Sequence, residues 1–160
     1  MPYPAMNTIL DDGFPRGALN YWKSSFMKAL DDDAIGVMID RFGDCPSPMT
    51  ALVIEYLHGA VTRVGVTDTA VPHREPGYNF LAASVWSDPT TTAQNIAWTR
   101  ATYADLETYF VGRRYVNYLG DDEAADVVQR AYGPNYARLV GIKRRYDPGN
   151  LFRLNQNIAP

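Results

Sequence analysis

The fold class is decided by the stretch Thr50-Ala51-Leu52-Val53-Ile54-Glu55-Tyr56-Leu57 and, further on, by Gly77-Tyr78-Asn79-Phe80-Leu81-Ala82-Ala83-Ser84-Val85-Trp86. Both are short apolar runs that contain aromatic or β-branched residues and lie beside turn residues, a pattern typical of strands. The break at His58-Gly59 and the apolar residues from Ala60 to Val66 predict a hairpin partner for the first run.

Two helices are predicted upstream of these strands. Apolar residues recur at helical spacing from Ala18 onward, and they share one face at Leu19, Trp22, Phe26 and Leu30. The aspartates Asp31 to Asp33 then form an acidic first turn for a second helix. Its inward residues are expected to be Ile35, Met38, Ile39 and Phe42.

Downstream of the strands, Asp88 and Pro89 predict the start of a helix that runs to about Phe110. Arg114 to Tyr118 is predicted as a further short strand. Asp121-Asp122 is then expected to cap a helix whose apolar face carries Ala124, Val127, Val128 and Ala131.

A last helix is predicted from Asn135 to Tyr146, and Asp147-Pro148-Gly149 ends it. Strands and helices in this order predict an α+β fold. We expect an antiparallel sheet covered by helices, followed by a helical C-terminal segment.

The composition of the chain argues against several classes of function. A chain of 160 residues, 46% hydrophobic and 21% charged, is sized for one globular domain. Its net charge of −3 weighs against nucleic acid or an anionic membrane as the main partner. The single cysteine, Cys45, excludes an internal disulfide and a cysteine-cluster metal site. The two histidines, His58 and His73, lack the spacing of paired metal ligands, so we predict no metal.

Targeting signals are not recognisable in the sequence. No uncharged run reaches the roughly 18 apolar residues that a membrane helix needs. Residues 1–7 lack the basic region and apolar core of a signal peptide. A cytoplasmic location is therefore the expectation.

The stretch Arg114-Tyr115-Val116-Asn117-Tyr118 offers the clearest candidate chemistry. In a strand, Tyr115 and Asn117 would share one face, where a phenol and a carboxamide can bind a polar ring or remove a proton. Packing in a half-buried edge strand explains the same residues, so both interpretations stay open.

Glu55 and the C-terminal amides also have two interpretations. A lone buried carboxylate is costly, so Glu55 is paired or functional if its strand face is inward, and simply solvated if it is outward. Asn155 and Asn157 could line a ligand site or merely cap turns.

Several motifs together resemble one known family. The segments Ala131-Tyr132-Gly133-Pro134-Asn135-Tyr136 and Asn150-Leu151-Phe152-Arg153-Leu154-Asn155-Gln156-Asn157-Ile158 are similar to the C-terminal signature of the berberine bridge enzyme-like flavoproteins, which are FAD-linked oxidases of the vanillyl-alcohol-oxidase type. Tyr115-Val116-Asn117-Tyr118 resembles the family's YxN strand, and Tyr21-Trp22-Lys23-Ser24 resembles its YWKS helix. His73-Arg74 is similar to a loop of the family, and the resemblance covers nearly the whole chain.

The resemblance implies a two-domain flavoprotein of which this chain is a part. Residues 1–113 would be the later part of the substrate-binding domain, and residues 114–160 would be the C-terminal berberine bridge enzyme-like segment. The N-terminal FAD-binding domain, which would hold most of the cofactor, would be absent from this chain.

The resemblance also implies roles for particular residues. Tyr115 corresponds to the tyrosine that removes the substrate hydroxyl proton while hydride passes to the flavin, and Glu55 corresponds to a carboxylate that assists it. Asn117, Asn155 and Asn157 correspond to amides near the flavin. The plant alkaloid members place their base near the position of Leu81, which cannot do that chemistry.

Two functions follow from these observations. The first is the C-terminal part of an FAD-dependent oxidoreductase that oxidises an alcohol, a sugar or another small molecule. The alternative is a non-catalytic remnant that binds a small ligand or a protein partner. The expected partners are a small-molecule substrate and an FAD-binding domain or chain, and we expect self-association through uncovered apolar surface.

Overall fold

A three-stranded antiparallel sheet forms the centre of the fold. The computed structural model of the chain describes residues 1–124 and 126–160. The strands are β1 (Leu19–Met27), β2 (Ala51–Leu57) and β3 (Gly77–Trp86), and β3 lies between the other two. The fold class is therefore α+β, as the sequence predicts.

The helices are short and mostly follow the predicted positions. They are α1 (Tyr3–Met6), α2 (Asp32–Gly43), α3 (Thr92–Asp105), α4 (Val127–Tyr132) and α5 (Tyr136–Tyr146). Short 3₁₀ helices lie in the connecting segments, at Asp11–Gly13, Gly59–Arg63, Pro89–Thr91, Glu107–Tyr109, Val116–Tyr118 and Gly133–Asn135.

One face of the sheet carries the main hydrophobic core. Phe80 and Ala82 of β3 are fully buried there, against Met38 of α2 and against Leu106, which follows α3. Burying a phenylalanine in this way stabilises a fold by roughly 1.5–3 kcal/mol. Helices α2 and α3 therefore cover this face of the sheet.

Gly77 permits the close approach of β1 and β3 at one end of the sheet. Its φ is +156°, and a Cβ atom there would lie 2.7 Å from the carbonyl oxygen of Met27. Any larger residue would have to displace backbone, so a glycine is needed where β3 begins.

The helix predicted over Leu19, Trp22, Phe26 and Leu30 is wrong, because this segment is strand β1. Its second half is buried on both faces and so shows no strand alternation. The Tyr21–Ser24 motif therefore lies in a strand. Its aromatic and serine residues suit a strand better than a helix.

The hairpin predicted over Ala60 to Val66 is also wrong. Gly59 has a φ of +66°, and the chain turns there into the 3₁₀ helix of Gly59–Arg63. β2 pairs instead with β3, with Glu55 opposite Asn79.

The strand predicted for Arg114 to Tyr118 is replaced by a 3₁₀ turn. The amide of Tyr118 donates to the carbonyl of Tyr115 at 3.0 Å, so the backbone hydrogen bond is local. Asp121 and Asp122 do not cap a helix, since α4 begins only at Val127. Asp122 instead contacts Tyr21, Lys23 and Arg100, and these charged and polar partners replace the cap.

The remaining helices begin near their predicted positions, but α3 ends at Asp105 rather than at about Phe110. Asp88 accepts a hydrogen bond from the Thr90 amide at 2.9 Å and begins the turn that leads into α3. In α2, however, the inward residues are Ala34 and Met38, while Ile39 and Phe42 are 65% and 51% exposed. None of the helices in the described ranges is both long enough and apolar enough to cross a membrane.

Candidate functional site

A row of three side chains crosses the face of the sheet opposite the main core. Asn79 of the central strand lies opposite Phe26 on one side and Glu55 on the other. Directly opposed residues on antiparallel strands project from the same face. The alternation of the strands therefore gathers a phenyl ring, a carboxamide and a carboxylate in one line.

Both oxygens of the Glu55 carboxylate accept hydrogen bonds. The Tyr118 hydroxyl donates to Oε1 at 2.8 Å, and the Asn79 amide donates to Oε2 at 2.6 Å. Glu55 is half-buried, so these bonds replace much of the water that a free carboxylate would keep. Glu55 is thus paired, with room for further acceptor contacts because a carboxylate has about four lone-pair sites.

The environment of Tyr118 favours its protonated form. Burial raises the pKa of Tyr118 well above its ordinary value of 10.0, and the hydrogen bond to the Glu55 carboxylate raises it further. Tyr118 is therefore a hydrogen-bond donor at neutral pH and is unsuited to remove a proton.

The 3₁₀ turn at Val116–Tyr118 places two phenols side by side. Side chains three residues apart eclipse each other in such a turn. The rings of Tyr115 and Tyr118 accordingly meet edge to face, with centroids 5.1 Å apart. Asn117 donates from Nδ2 to the Tyr115 hydroxyl oxygen at 2.9 Å. An N–H donor at that oxygen is the contact that stabilises negative charge developing there.

Hydrogen bonds to β1 fix the chain that leads into this turn. The amide of Val111 donates to the carbonyl of Phe26 at 2.9 Å, which continues the sheet edge beyond β1. Ser25 donates to the carbonyl of Arg113 at 3.2 Å and accepts from the Arg114 guanidinium at 2.7 Å. The buried Ser25 thus fixes the chain immediately before Tyr115.

A cavity of ≈ 310 Å³ lies over this part of the sheet, and we call it the Glu55 cavity. It is lined by Glu55, Asn79, Tyr115, His73 and Phe26, and its apolar wall comes from Leu57, Val61 and Val71. The volume lies at the lower end of the range of small-molecule sites. Among the described side chains, Glu55 and Tyr115 share no hydrogen bond, yet both face this one space.

His73 is a buried ionisable group in the wall of the Glu55 cavity. Its ring packs against Phe26 with centroids 4.3 Å apart and the ring planes tilted by 33°. Burial lowers the pKa of His73 below its ordinary value and outweighs backbone hydrogen bonds that would raise it, and the nearby charges of Arg113 and Arg74 lower it further. The imidazole is therefore neutral at pH 7.

Asn135 holds the loop that leads to His73. Its Nδ2 donates to the carbonyls of Val66 at 2.8 Å and Thr69 at 3.1 Å, and its side chain is buried. The C-terminal region thereby fixes a loop that precedes the cavity wall, although the two segments are far apart in the sequence.

A second cavity has a volume of ≈ 560 Å³, and we call it the Asn155 cavity. Asn117 and Asn155 line it together with Trp22, Tyr132 and Gln156. Asn157 lies elsewhere, in a cavity of ≈ 350 Å³ between α5 and the C-terminal tail. The structure therefore brings together two of the three predicted amides.

The tail that carries Asn155 is tied to the end of α5. Asp147 accepts from the amides of Leu151 at 2.7 Å and Phe152 at 3.1 Å, and it forms an ion pair with Lys143. Lys143 also donates to the Phe152 carbonyl at 2.6 Å. Asn155 then adopts a φ of +56°, a left-handed conformation that asparagine tolerates well.

Three residues of the site, Tyr118, Asn79 and His73, were not predicted as site residues from the sequence. Asn79 was visible as a polar residue inside the apolar central strand. Tyr118 follows Tyr115 by three residues, which a strand places on opposite faces and a 3₁₀ turn places together. In the described part of the chain, no cluster of side chains is suited to hold a metal ion.

Comparisons with known proteins indicate which proteins the chain is similar to. A sequence model of the family described as "Berberine and berberine like" matches residues 114–159. An FAD-linked oxidoreductase of Dictyostelium discoideum is 26% identical over 162 residues, which is 100% of this chain and 35% of that protein. The chain is therefore similar to FAD-linked oxidoreductases over its whole length and to the berberine bridge enzyme-like family over residues 114–159.

Solved structures of berberine bridge enzyme-like proteins share the fold. Berberine bridge enzyme from Eschscholzia californica superposes with a TM-score of 0.79 and 20% identity, over 92% of this chain and 34% of that one. A glycopeptide hexose oxidase complexed with teicoplanin gives a TM-score of 0.77 and 24% identity, over 90% and 33% of the two chains. The chain spans about a third of the length of the relatives that it matches.

Proposed function

We propose that this chain is the substrate-side and C-terminal part of an FAD-dependent oxidoreductase that oxidises the hydroxyl group of a small molecule. The observation that carries the proposal is that Tyr115 and Glu55 line one cavity on the face of the sheet opposite the main core. A phenol and a carboxylate at one small cavity suit removal of a hydroxyl proton.

Tyr115 is the proposed base on the substrate hydroxyl. A phenol must lose its own proton before it can accept another, and with a pKa near 10 it needs help to do so at neutral pH. Asn117 supplies one form of help, because its N–H donates to the oxygen on which negative charge develops during proton loss. Glu55 is proposed to assist by accepting from the substrate hydroxyl, since it lies across the cavity rather than in direct contact with Tyr115.

The Asn155 cavity fits the edge of a flavin ring. Asn117 and Asn155 offer amide donors and acceptors, and Trp22 and Tyr132 add aromatic surface. Asn157 is a weaker candidate because it lines a different cavity. When bound, FAD would accept the hydride from the substrate carbon. The sequence has no glycine-rich phosphate loop, so the rest of FAD would be held by a domain outside these 160 residues.

The substrate is proposed to be an alcohol or a sugar. The relatives include a monolignol oxidoreductase of Arabidopsis thaliana and a glycopeptide hexose oxidase whose structure was solved with teicoplanin, so their substrates differ. In the proposed division, residues 1–113 contribute to the substrate-binding domain, and residues 114–160 contribute the C-terminal segment.

The test of this function is flavin retention and reduction. The chain is expressed alone and together with an FAD-binding domain, either in one reading frame or as a second chain. We expect no stoichiometric flavin on the chain alone. In the pair we expect bound flavin that loses its visible absorption anaerobically with a panel of alcohols and sugars.

The non-catalytic alternative gives the opposite result. A remnant would bind a ligand or partner without reducing any flavin, and the genome would encode no FAD-binding domain upstream or in an adjacent gene. If the flavin is not reduced in any sample that combines the chain with an FAD-binding domain, the result would contradict the proposed oxidoreductase function.

A further inference from the structure

Asn79 occupies a position where a polar residue is costly. It lies in the central strand, is 2% exposed, and is the middle residue of the row that it forms with Phe26 and Glu55. Its Nδ2 donates to Glu55, but within the described chain its Oδ1 is buried without a hydrogen-bond partner. An unpaired buried acceptor destabilises a fold. An apolar residue would serve stability better, which indicates that the amide is present for another reason.

Tyr118 approaches Glu55 from the other side. It donates to Oε1 while Asn79 donates to Oε2, so the carboxylate is held at both oxygens. Tyr118 itself does not appear among the residues that line the Glu55 cavity or the Asn155 cavity. Its contact with the site is therefore made through Glu55 and through the ring of Tyr115.

We propose that Tyr118 and Asn79 are positioning residues that lock the Glu55 carboxylate in one orientation on the wall of the cavity. The lock fixes the negative charge of Glu55 relative to Tyr115 and leaves lone pairs of the carboxylate free to accept from a substrate hydroxyl. This role rests on the proposed oxidoreductase function, since Glu55 then assists proton removal.

The two phenols of the turn thereby have opposite hydrogen-bond roles. The Tyr115 oxygen accepts from Asn117, whereas the Tyr118 hydroxyl donates to Glu55. A residue that must donate permanently cannot also accept the substrate proton. Tyr118 therefore acts through Glu55, and Tyr115 is left as the phenol that faces the substrate.

The lock is tested directly in the 160-residue chain by nuclear magnetic resonance of ¹³Cζ-labelled tyrosine. In the wild type, Tyr118 should ionise above 10.0. Glu55→Gln removes the negative charge next to the hydroxyl, so the ionisation of Tyr118 should move down toward 10.0. Tyr132, which is also half-buried, is the internal control and should not move. An unchanged Tyr118 signal would overturn the lock.

A double-mutant cycle measures whether the partners act as a unit. Tyr118→Phe and Glu55→Gln should each lower the urea unfolding midpoint. The two changes should be non-additive in the double variant, because each substitution alone already breaks the same contact. The matched pair Tyr132→Phe with Glu55→Gln should be additive. Additive behaviour of the Tyr118 pair would contradict the lock even if both variants fold well.

The catalytic consequence is measured in the complete FAD-containing protein. Tyr118→Phe should slow flavin reduction by up to about 10²-fold, as misplacing a reacting group does, with KM near the wild-type value. Its pH–rate profile should shift in the same direction as that of Glu55→Gln. A wild-type rate in Tyr118→Phe would overturn the positioning role. If the wild type itself reduces no flavin, the proposed function fails while the ¹³C and urea results still decide the lock.

Discussion

Hydrogen-bond direction distinguishes residues of the same type in this site. Tyr115 and Tyr118 are in ring contact, yet one accepts from an amide and the other donates to a carboxylate. The same reasoning applies to His73, whose environment opposes a positive charge because it is buried beside two arginines. Protonation states at this site are thus set by immediate neighbours.

His73 gives a pH prediction at this scale. Its pKa in the folded chain is lowered below 6.5, so the unfolded chain takes up the proton first. Stability should therefore decline as pH falls below about 6.5, the unfolded value. Nuclear magnetic resonance of the imidazole should give a midpoint below 6.5, and a midpoint at or above that value would contradict the buried, neutral assignment.

At the scale of elements, one carboxylate joins three parts of the fold. Asp122 accepts from Tyr21 at 2.6 Å and from Lys23 at 2.9 Å in β1, and from Arg100 of α3 at 3.0 Å. Partial burial alone would raise the pKa of Asp122, but these hydrogen bonds outweigh it and hold the pKa well below the usual range. The chain after Leu119 is thereby tied to the edge strand.

Asp122→Asn should loosen that connection. A partly exposed charge cluster of this kind contributes about 1 kcal/mol, so the unfolding free energy at pH 7 should fall by about that amount. Because the folded pKa is depressed, the contribution of Asp122 is complete above its unfolded pKa and is lost as pH falls toward the folded one. Urea unfolding at several pH values should show the difference between variant and wild type shrinking below about pH 4. A constant difference would exclude the charge as its cause.

Some elements could be predicted from the sequence and others could not. β3 is apolar and bounded by turn residues, so its limits follow from Gly77 to Trp86 alone. β1 could not be recognised, because its buried half shows no alternation and its apolar residues happen to recur at helical spacing. The turn at Val116–Tyr118 has a distant side-chain partner, Glu55, which no local pattern specifies. Residue types at the site were therefore predictable, but their pairing was not.

At the scale of the whole molecule, large apolar side chains of the C-terminal tail are exposed. Leu151, Phe152 and Leu154 are 74%, 79% and 86% exposed. Exposed apolar side chains of this size are typical of surfaces that another chain or domain covers.

We predict that the 160-residue chain self-associates through this tail. Replacing Leu151, Phe152 and Leu154 by serine should shift sedimentation toward the monomer at micromolar concentration. The same change at Ile39 and Phe42, which are exposed on α2, is the control and should have a smaller effect. A wild-type chain that stays monomeric and binds no hydrophobic dye would contradict the prediction.

The most direct test of the proposed chemistry is anaerobic stopped-flow reduction of the flavin in the complete protein, comparing wild type with Tyr115→Phe. The substitution removes one oxygen and leaves the ring packed against Tyr118. Loss of a general base lowers the rate of the chemical step by roughly 10²–10⁴-fold, so we expect that loss with substrate affinity nearly unchanged. A Tyr115→Phe protein that reduces its flavin within about threefold of the wild-type rate would remove Tyr115 from the mechanism.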